Sequence, residues 1–153
     1  MLAGESSKQH QRVGIFVDVQ NMFYSAKHFG GSKLDFAKLL EKTGSISGIE
    51  QVRFMSPHPR DFTDDVIEVM ANIPTIAPHL HMPLQSGSDE ILASMRRSYR
   101  REKYLGILNN VRSKLPHASI TTDIIVGFPG EEDRHFQETY DLVKEANFLT
   151  SYI

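Results

Sequence analysis

Two rhythms alternate along the chain. Short runs of consecutive apolar residues read as buried strands, and apolar stripes at three- and four-residue spacing read as amphipathic helices. The runs predict strands at residues 12–18 (RVGIFVD), 49–55 (IEQVRFM), 79–84, 118–126 and 148–153. The stripes predict helices at residues 20–29, 35–42, 61–71, from Ser88 onward, 101–115 and 131–146. Punctuation agrees with these bounds. Gly30-Gly31, Gly44 and Pro116 stop helices, Asp35 and Ser88 start them, and Pro57 and Pro59 forbid helix at the residues before them. The apolar triplet Ile124-Ile125-Val126 lacks any alternation, which predicts a central strand buried on both faces.

Strands alternating with helices imply βαβ units and a parallel sheet. The expected architecture is α/β: a five-stranded, mostly parallel sheet with helices on both faces, doubly wound in the flavodoxin-like order 2-1-3-4-5. The alternative is an open part of a (βα) barrel, with consecutive strands and a homodimer formed through its open edges. Residues 1–11 read as a disordered polar tail and residues 12–153 as one domain.

Composition narrows the function. Hydrophobic residues make up 40% and charged residues 24% of the chain, and the net charge is −2, so a global basic field for nucleic acid is missing. A nucleic-acid partner is therefore not expected, nor any other specific partner. No apolar run approaches the ~18 residues of a membrane span, and the expectation is a soluble, cytoplasmic-type protein suited to recombinant expression. The sequence has no cysteine. Thiolate zinc sites, cysteine nucleophiles and a cysteine-held iron–sulfur cluster are excluded from these residues.

From about Asp35 onward four collinear strings carry a resemblance: SPHPRDFTDDVIE at residues 56–68, HLHMPLQSGSDEIL at 79–92, MRRSYRREKYLGIL at 95–108 and TTDIIVGFPGE at 121–131. Together they resemble the radical S-adenosylmethionine barrel of tRNA methylthiotransferases. The resemblance implies a cosubstrate cavity lined by Gln85, Ser86, Gly87, Ser88, Arg97, Asp123, Gly127, Gly130 and Glu131. It also implies a cluster held by a C-x-x-x-C-x-x-C loop, for which this sequence has no cysteine. The Gln85–Ser88 turn, small-residued and leading from strand to helix, is the physical type that offers free N–H groups to carboxylates or phosphates.

Residues 12–45 resemble something else, the opening βα unit of NYN-type, PIN-like nucleases. That resemblance implies a divalent metal at Asp18, with Asn21 beside it, since carboxylate oxygen at a strand end suits Mg²⁺ or Mn²⁺. The two resemblances meet near residues 34–48. The sequence-based expectation is accordingly an engineered or recombined chimeric scaffold that is not an enzyme and needs no cofactor. Weak binding of a nucleotide, S-adenosylmethionine or a divalent metal is the alternative, and an active metal-dependent nuclease comes last. His79 and His81, two apart on one strand, read as core or barrel-lining histidines. Arg96, Arg97, Arg100, Arg101 and Lys103 read as a solvated helix face.

Overall fold

The computed structural model describes residues 13–15, 28 and 34–153. The chain divides into two units, Met1–Leu34 and Asp35–Ile153. The polar tail, most of the expected first strand, nearly all of the first helix, and both Asp18 and Asn21 lie outside the described residues.

In the second unit, α1 (Phe36–Gly44) opens on Asp35, whose carboxylate accepts from the Lys38 N–H at 2.9 Å. That bond fills one of the donors every helix start leaves open. The helix buries Ala37, Leu40 and Gly44. A Cβ on Gly44 would stand 2.8 Å from Ile73 Cγ2, so the absent side chain allows the approach of α2 (Asp64–Asn72). There Val66, Ile67 and Met70 form the buried stripe, and Asp64 and Asp65 favour the first turn.

Three strands follow: β1 (His79–His81), β2 (Ser119–Asp123) and β3 (Thr150–Tyr152). Between them lie α3 (Asp89–Ser94) and α4 (Arg101–Lys114), then α5 (Asp133–Ala146). The sheet is parallel in the order β1-β2-β3, with His79 opposite Ser119 and Thr121 opposite Thr150. This corrects the doubly wound expectation. Three strands are present among the described residues rather than five, and they follow one another as in the part-barrel alternative. Crossovers of one hand between consecutive strands leave their helices on one face, and α4 packs against α5. Among the described residues, helices on both faces are therefore not what this sheet has.

The expected strand at 49–55 survives as a single parallel bridge, Val52 to Ile76. Val52 donates to Thr75 O at 2.8 Å and accepts from the Ala77 N–H at 2.9 Å. Its polar neighbours Gln51 and Arg53 are exposed. The triplet after β2 also departs from expectation. Ile124 is buried and bridges Gln85, whereas Ile125 and Val126 are 41% and 46% exposed. Among the described residues no strand pairs with Ile125 or Val126 in a bridge, and the run is not buried on both faces.

Alternation along β1 and β2 separates two kinds of surface. Leu80, Met82 and Ile120 enter the core with Tyr104, Leu108 and Leu142. His79, His81, Ser119, Thr121 and Asp123 share the opposite face. The pairs on it are hydrogen-bonded across the strands, His79 Nδ1 to Ser119 Oγ at 2.8 Å and His81 Nδ1 to Thr121 Oγ1 at 2.9 Å.

Pro83 interrupts the β1 edge because it has no N–H to give to the ladder. Side chains supply the missing rung. Thr122 Oγ1 donates to Met82 O at 2.9 Å and accepts from the Leu84 N–H at 2.8 Å. Tyr104 donates to Met82 O at 2.6 Å and Tyr99 to Leu84 O at 2.9 Å. Backbone pairing then resumes, with Gln85 N–H on Asp123 O and Ile125 N–H on Gln85 O, each at 2.8 Å.

Candidate ligand site at the strand ends

Several of the polar residues singled out in the sequence gather where β1 and β2 end. Gln85 turns the chain there with a φ of 71°, held by its rung to Asp123. Its side chain lines a cavity of about 270 Å³ together with Ser56, His58, Pro83, Arg97 and Tyr99. Ser56 reaches this place through its N–H on His81 O at 3.0 Å. Arg97 follows the short helix α3, and its Nε is buried with no hydrogen-bond partner.

The cavity wall carries a positive field. Burial foremost, then the charges of Arg60, Arg97 and Lys103, hold His58 below the usual imidazole range against the opposing pull of Asp61. His58 therefore stays neutral near pH 7, accepts the Arg60 N–H on Nδ1 at 3.1 Å, and sets its ring edge-on to Tyr99. The basic cluster is not one solvated face. Arg97 lines the cavity, Arg100 donates to the carbonyls of Arg97 and Tyr99, and the Arg101 N–H is capped by Asp89 at 2.8 Å.

The Gln85–Ser88 turn differs from expectation. Its N–H groups are engaged: Gly87 donates to Thr139 Oγ1 at 2.9 Å and Ser88 to Ser86 Oγ at 3.1 Å. Gly87 presses on α5, where an added Cβ would lie 2.5 Å from Thr139 Cα. This turn docks a helix; it leaves no row of N–H groups open to an anion. Ser88 is the N-cap of α3 without a side-chain cap bond, and its buried Oγ has no partner.

The turn after β2 uses left-handed backbone at Gly127 (φ 76°) and Gly130 (φ 87°). Glu131 folds back over it, with Oε2 accepting from the N–H groups of Gly127 and Phe128, while Oε1 is buried without a partner. The acidic helix start read from residues 131–133 resolves accordingly: Glu131 clasps the turn, Glu132 caps α5, and Asp133 begins it.

Sequence reasoning missed the clasp that joins α5 to α3. His135 Nδ1 accepts the Glu132 N–H at 3.0 Å, so Nε2 carries the proton and faces Glu90 Oε2 at 3.0 Å. Arg134 grips the same carboxylate with two bonds of 3.0 and 2.7 Å. Each of these residues looks like an ordinary exposed helix position in one dimension. Only the separation of 45 residues closing in space reveals them. The Arg134 bonds first, then His135, hold the Glu90 carboxyl down to about 2. A depressed carboxyl contributes stability that is present above its unfolded pKa and lost as pH falls through the folded one. Acid titration of stability should therefore show a loss between about pH 4.5 and 2 that is shallower in Glu90→Gln. Identical slopes in the two proteins would remove Glu90 from the acid response.

Among the described residues no group of three or more His, Asp or Glu could hold a metal ion. Nor is any helix among them long and apolar enough to cross a membrane.

Comparison with known proteins shows the family. The Radical SAM superfamily matches residues 20–143. The chain is 63% identical over 117 residues to the tRNA-2-methylthio-N(6)-dimethylallyladenosine synthase of Nocardia farcinica, covering 76% of this chain and 23% of that protein. It is 61% identical over 117 residues to synthase 1 of Mycobacterium marinum, again 76% of this chain and 22% of that one. The synthase of Corynebacterium diphtheriae is 54% identical over 140 residues, 92% of this chain and 27% of that protein. The chain thus spans about a quarter of the length of the curated relatives it matches.

These matches correct the sequence-based expectation at several points. The superfamily match covers residues 34–48, and the 140-residue alignment takes in all but 13 of the 153 residues. A non-catalytic chimeric or de novo scaffold is overturned, because the relatives are natural enzymes. The nuclease-like reading of residues 12–45 is not shown. The cofactor-free expectation falls too, since the superfamily implies S-adenosylmethionine and an iron–sulfur cluster.

The two cofactors fare differently against the residues present. With no cysteine in the sequence, none of the thiolates that hold such a cluster is among these 153 residues, and the cluster does not fit them. The cosubstrate does fit. An orphaned guanidinium nitrogen beside a cavity matches a carboxylate, and the amide of Gln85 on the same wall matches ammonium and hydroxyl groups; Asp123 is joined to that wall through its carbonyl, which accepts the Gln85 N–H.

Proposed function

The chain belongs to the radical SAM superfamily, and we propose that it forms the S-adenosylmethionine-holding part of a tRNA-modifying methylthiotransferase. By their name the relatives make 2-methylthio-N(6)-dimethylallyladenosine in tRNA, and we extend that product, with tRNA as the partner, to this chain. The observation that carries the reading is Arg97: its Nε is buried and unpaired on the wall of a cavity whose other lining residues are neutral. A desolvated guanidinium donor without a partner is costly, and a bound carboxylate relieves that cost with a charge-assisted bond.

In this reading Arg97 holds the carboxylate of S-adenosylmethionine. Gln85, fixed by its rung to Asp123, and the part-exposed Asp123 orient its polar groups. Pro57, Pro59 and Pro83 supply apolar lining to the same cavity. When bound, S-adenosylmethionine supplies an activated sulfonium. The residues described here bind and orient it.

Equilibrium dialysis with labelled S-adenosylmethionine tests the reading. Removing one charge-assisted bond costs ~1.5–3 kcal/mol, so Arg97→Gln should weaken binding roughly tenfold or more. Equal affinity in parent and variant, or no binding by the parent at millimolar ligand, would sink the assignment.

A further inference from the structure

All three strands converge on one imidazole. His81 of β1 has Nδ1 2.9 Å from Thr121 Oγ1 and Nε2 3.3 Å from Asp123 Oδ2, both on β2. The Tyr152 ring of β3 meets it edge-on, with centroids 6.0 Å apart. The proton's place follows from the partners. A carboxylate can only accept when ionised, so the nitrogen facing Asp123 carries the hydrogen; the other nitrogen then accepts from the Thr121 hydroxyl. Burial differs sharply across the pair, with side-chain exposure of 8% for His81 and 41% for Asp123. A buried, doubly held ring thus steers a carboxylate that reaches toward solvent. Among the described residues no other side chain bonds that carboxylate.

We propose that His81 is a positioning residue. It fixes Asp123 so that the remaining carboxylate oxygen accepts a hydrogen bond from a donor group, hydroxyl or ammonium, on the ligand. Thr121 sets the tautomer and Tyr152 limits rotation of the ring. The proposal rests on reading the site as one that holds S-adenosylmethionine, and it adds a residue that touches no ligand itself. The same neighbourhood explains why histidine stands here. Leucine would fill the volume but offer Asp123 nothing, whereas glutamine keeps an N–H near the place of Nε2.

The test combines dialysis of S-adenosylmethionine against the parent, His81→Leu and His81→Gln with ¹H–¹⁵N spectra of the imidazoles in the parent and Asp123→Asn. Loss of an oriented charged acceptor should weaken binding of His81→Leu roughly tenfold, while His81→Gln stays within about threefold of the parent because its amide restores the donor. The parent spectrum should show His81 protonated on Nε2, and the tautomer balance should move in Asp123→Asn. Repeating the dialysis with 5′-methylthioadenosine, which keeps the ribose and lacks the ammonium, tells which ligand donor is served. Full affinity in His81→Leu, or a His81→Gln as weak as the leucine variant, overturns the proposal and leaves the site reading standing. Failure of the parent to bind overturns both. Should His81→Leu not fold, the spectra decide: a His81 tautomer indifferent to Asp123→Asn overturns the proposal.

Discussion

Gly87→Ala should destabilise the chain by about 3 kcal/mol or more, the upper range for forcing atoms into packed space. The new Cβ would stand 2.5 Å from Thr139 Cα and 2.7 Å from Glu138 O. Both are backbone atoms, so no rotamer change relieves the contact; the turn or α5 must move. Moving either one strains the Gly87 N–H bond to Thr139 Oγ1 and loosens the start of α3. Gly106→Ala supplies the contrast. Gly106 lies within α4 with open space where a Cβ would stand, so alanine should stabilise by ~0.5–1 kcal/mol through helix propensity alone. Denaturant melts of both variants check the pair. Equal and small effects would show that the Gly87 contact yields at little cost.

Thr122→Val should cost about 2 kcal/mol although it changes volume little, because the missing hydroxyl leaves the buried Leu84 N–H without an acceptor. Met82 O keeps the Tyr104 hydroxyl and suffers less. The effect should reach beyond stability. Met82, Pro83 and Leu84 lead straight into Gln85, so the variant should also weaken S-adenosylmethionine while Leu108→Ala, in the core, weakens stability without touching affinity measured well below its melting point. A Thr122→Val chain as stable as the parent would mean that backbone pairing closes over Pro83 unaided.

Much of this was legible in one dimension. The caps at Asp35 and Ser88, the apolar stripe within residues 61–71 and the strand begun by HLHM predict elements that exist, since periodicity and punctuation are local physics. The strand order was not legible. Apolar runs report that residues prefer burial and are silent about what buries them, which is why Ile125 and Val126 read as core and stand half exposed. The candidate site divides in the same way. Gln85, Arg97 and Asp123 were singled out through resemblance; Gln85 and Arg97 line one cavity, and the roles inside the turn came out differently. Gly87 and Ser86 serve Thr139, a residue 52 and 53 positions away that no spacing rule connects to them. The absence of cysteine was sound chemistry for these residues and a poor guide to the family to which the chain belongs.

The consecutive order of the strands also shapes how the chain can be made. Each strand pairs with the one that follows it, β1 with β2 and β2 with β3. On a ribosome the sheet can then grow at one side only, each βα unit docking as it emerges. A doubly wound order would require a late strand to add at the far side of an earlier pair, across a longer loop. Here nothing already folded has to reopen. The exposed growing edge is always the newest strand, so the interval in which it could pair wrongly is set by synthesis of a single βα unit.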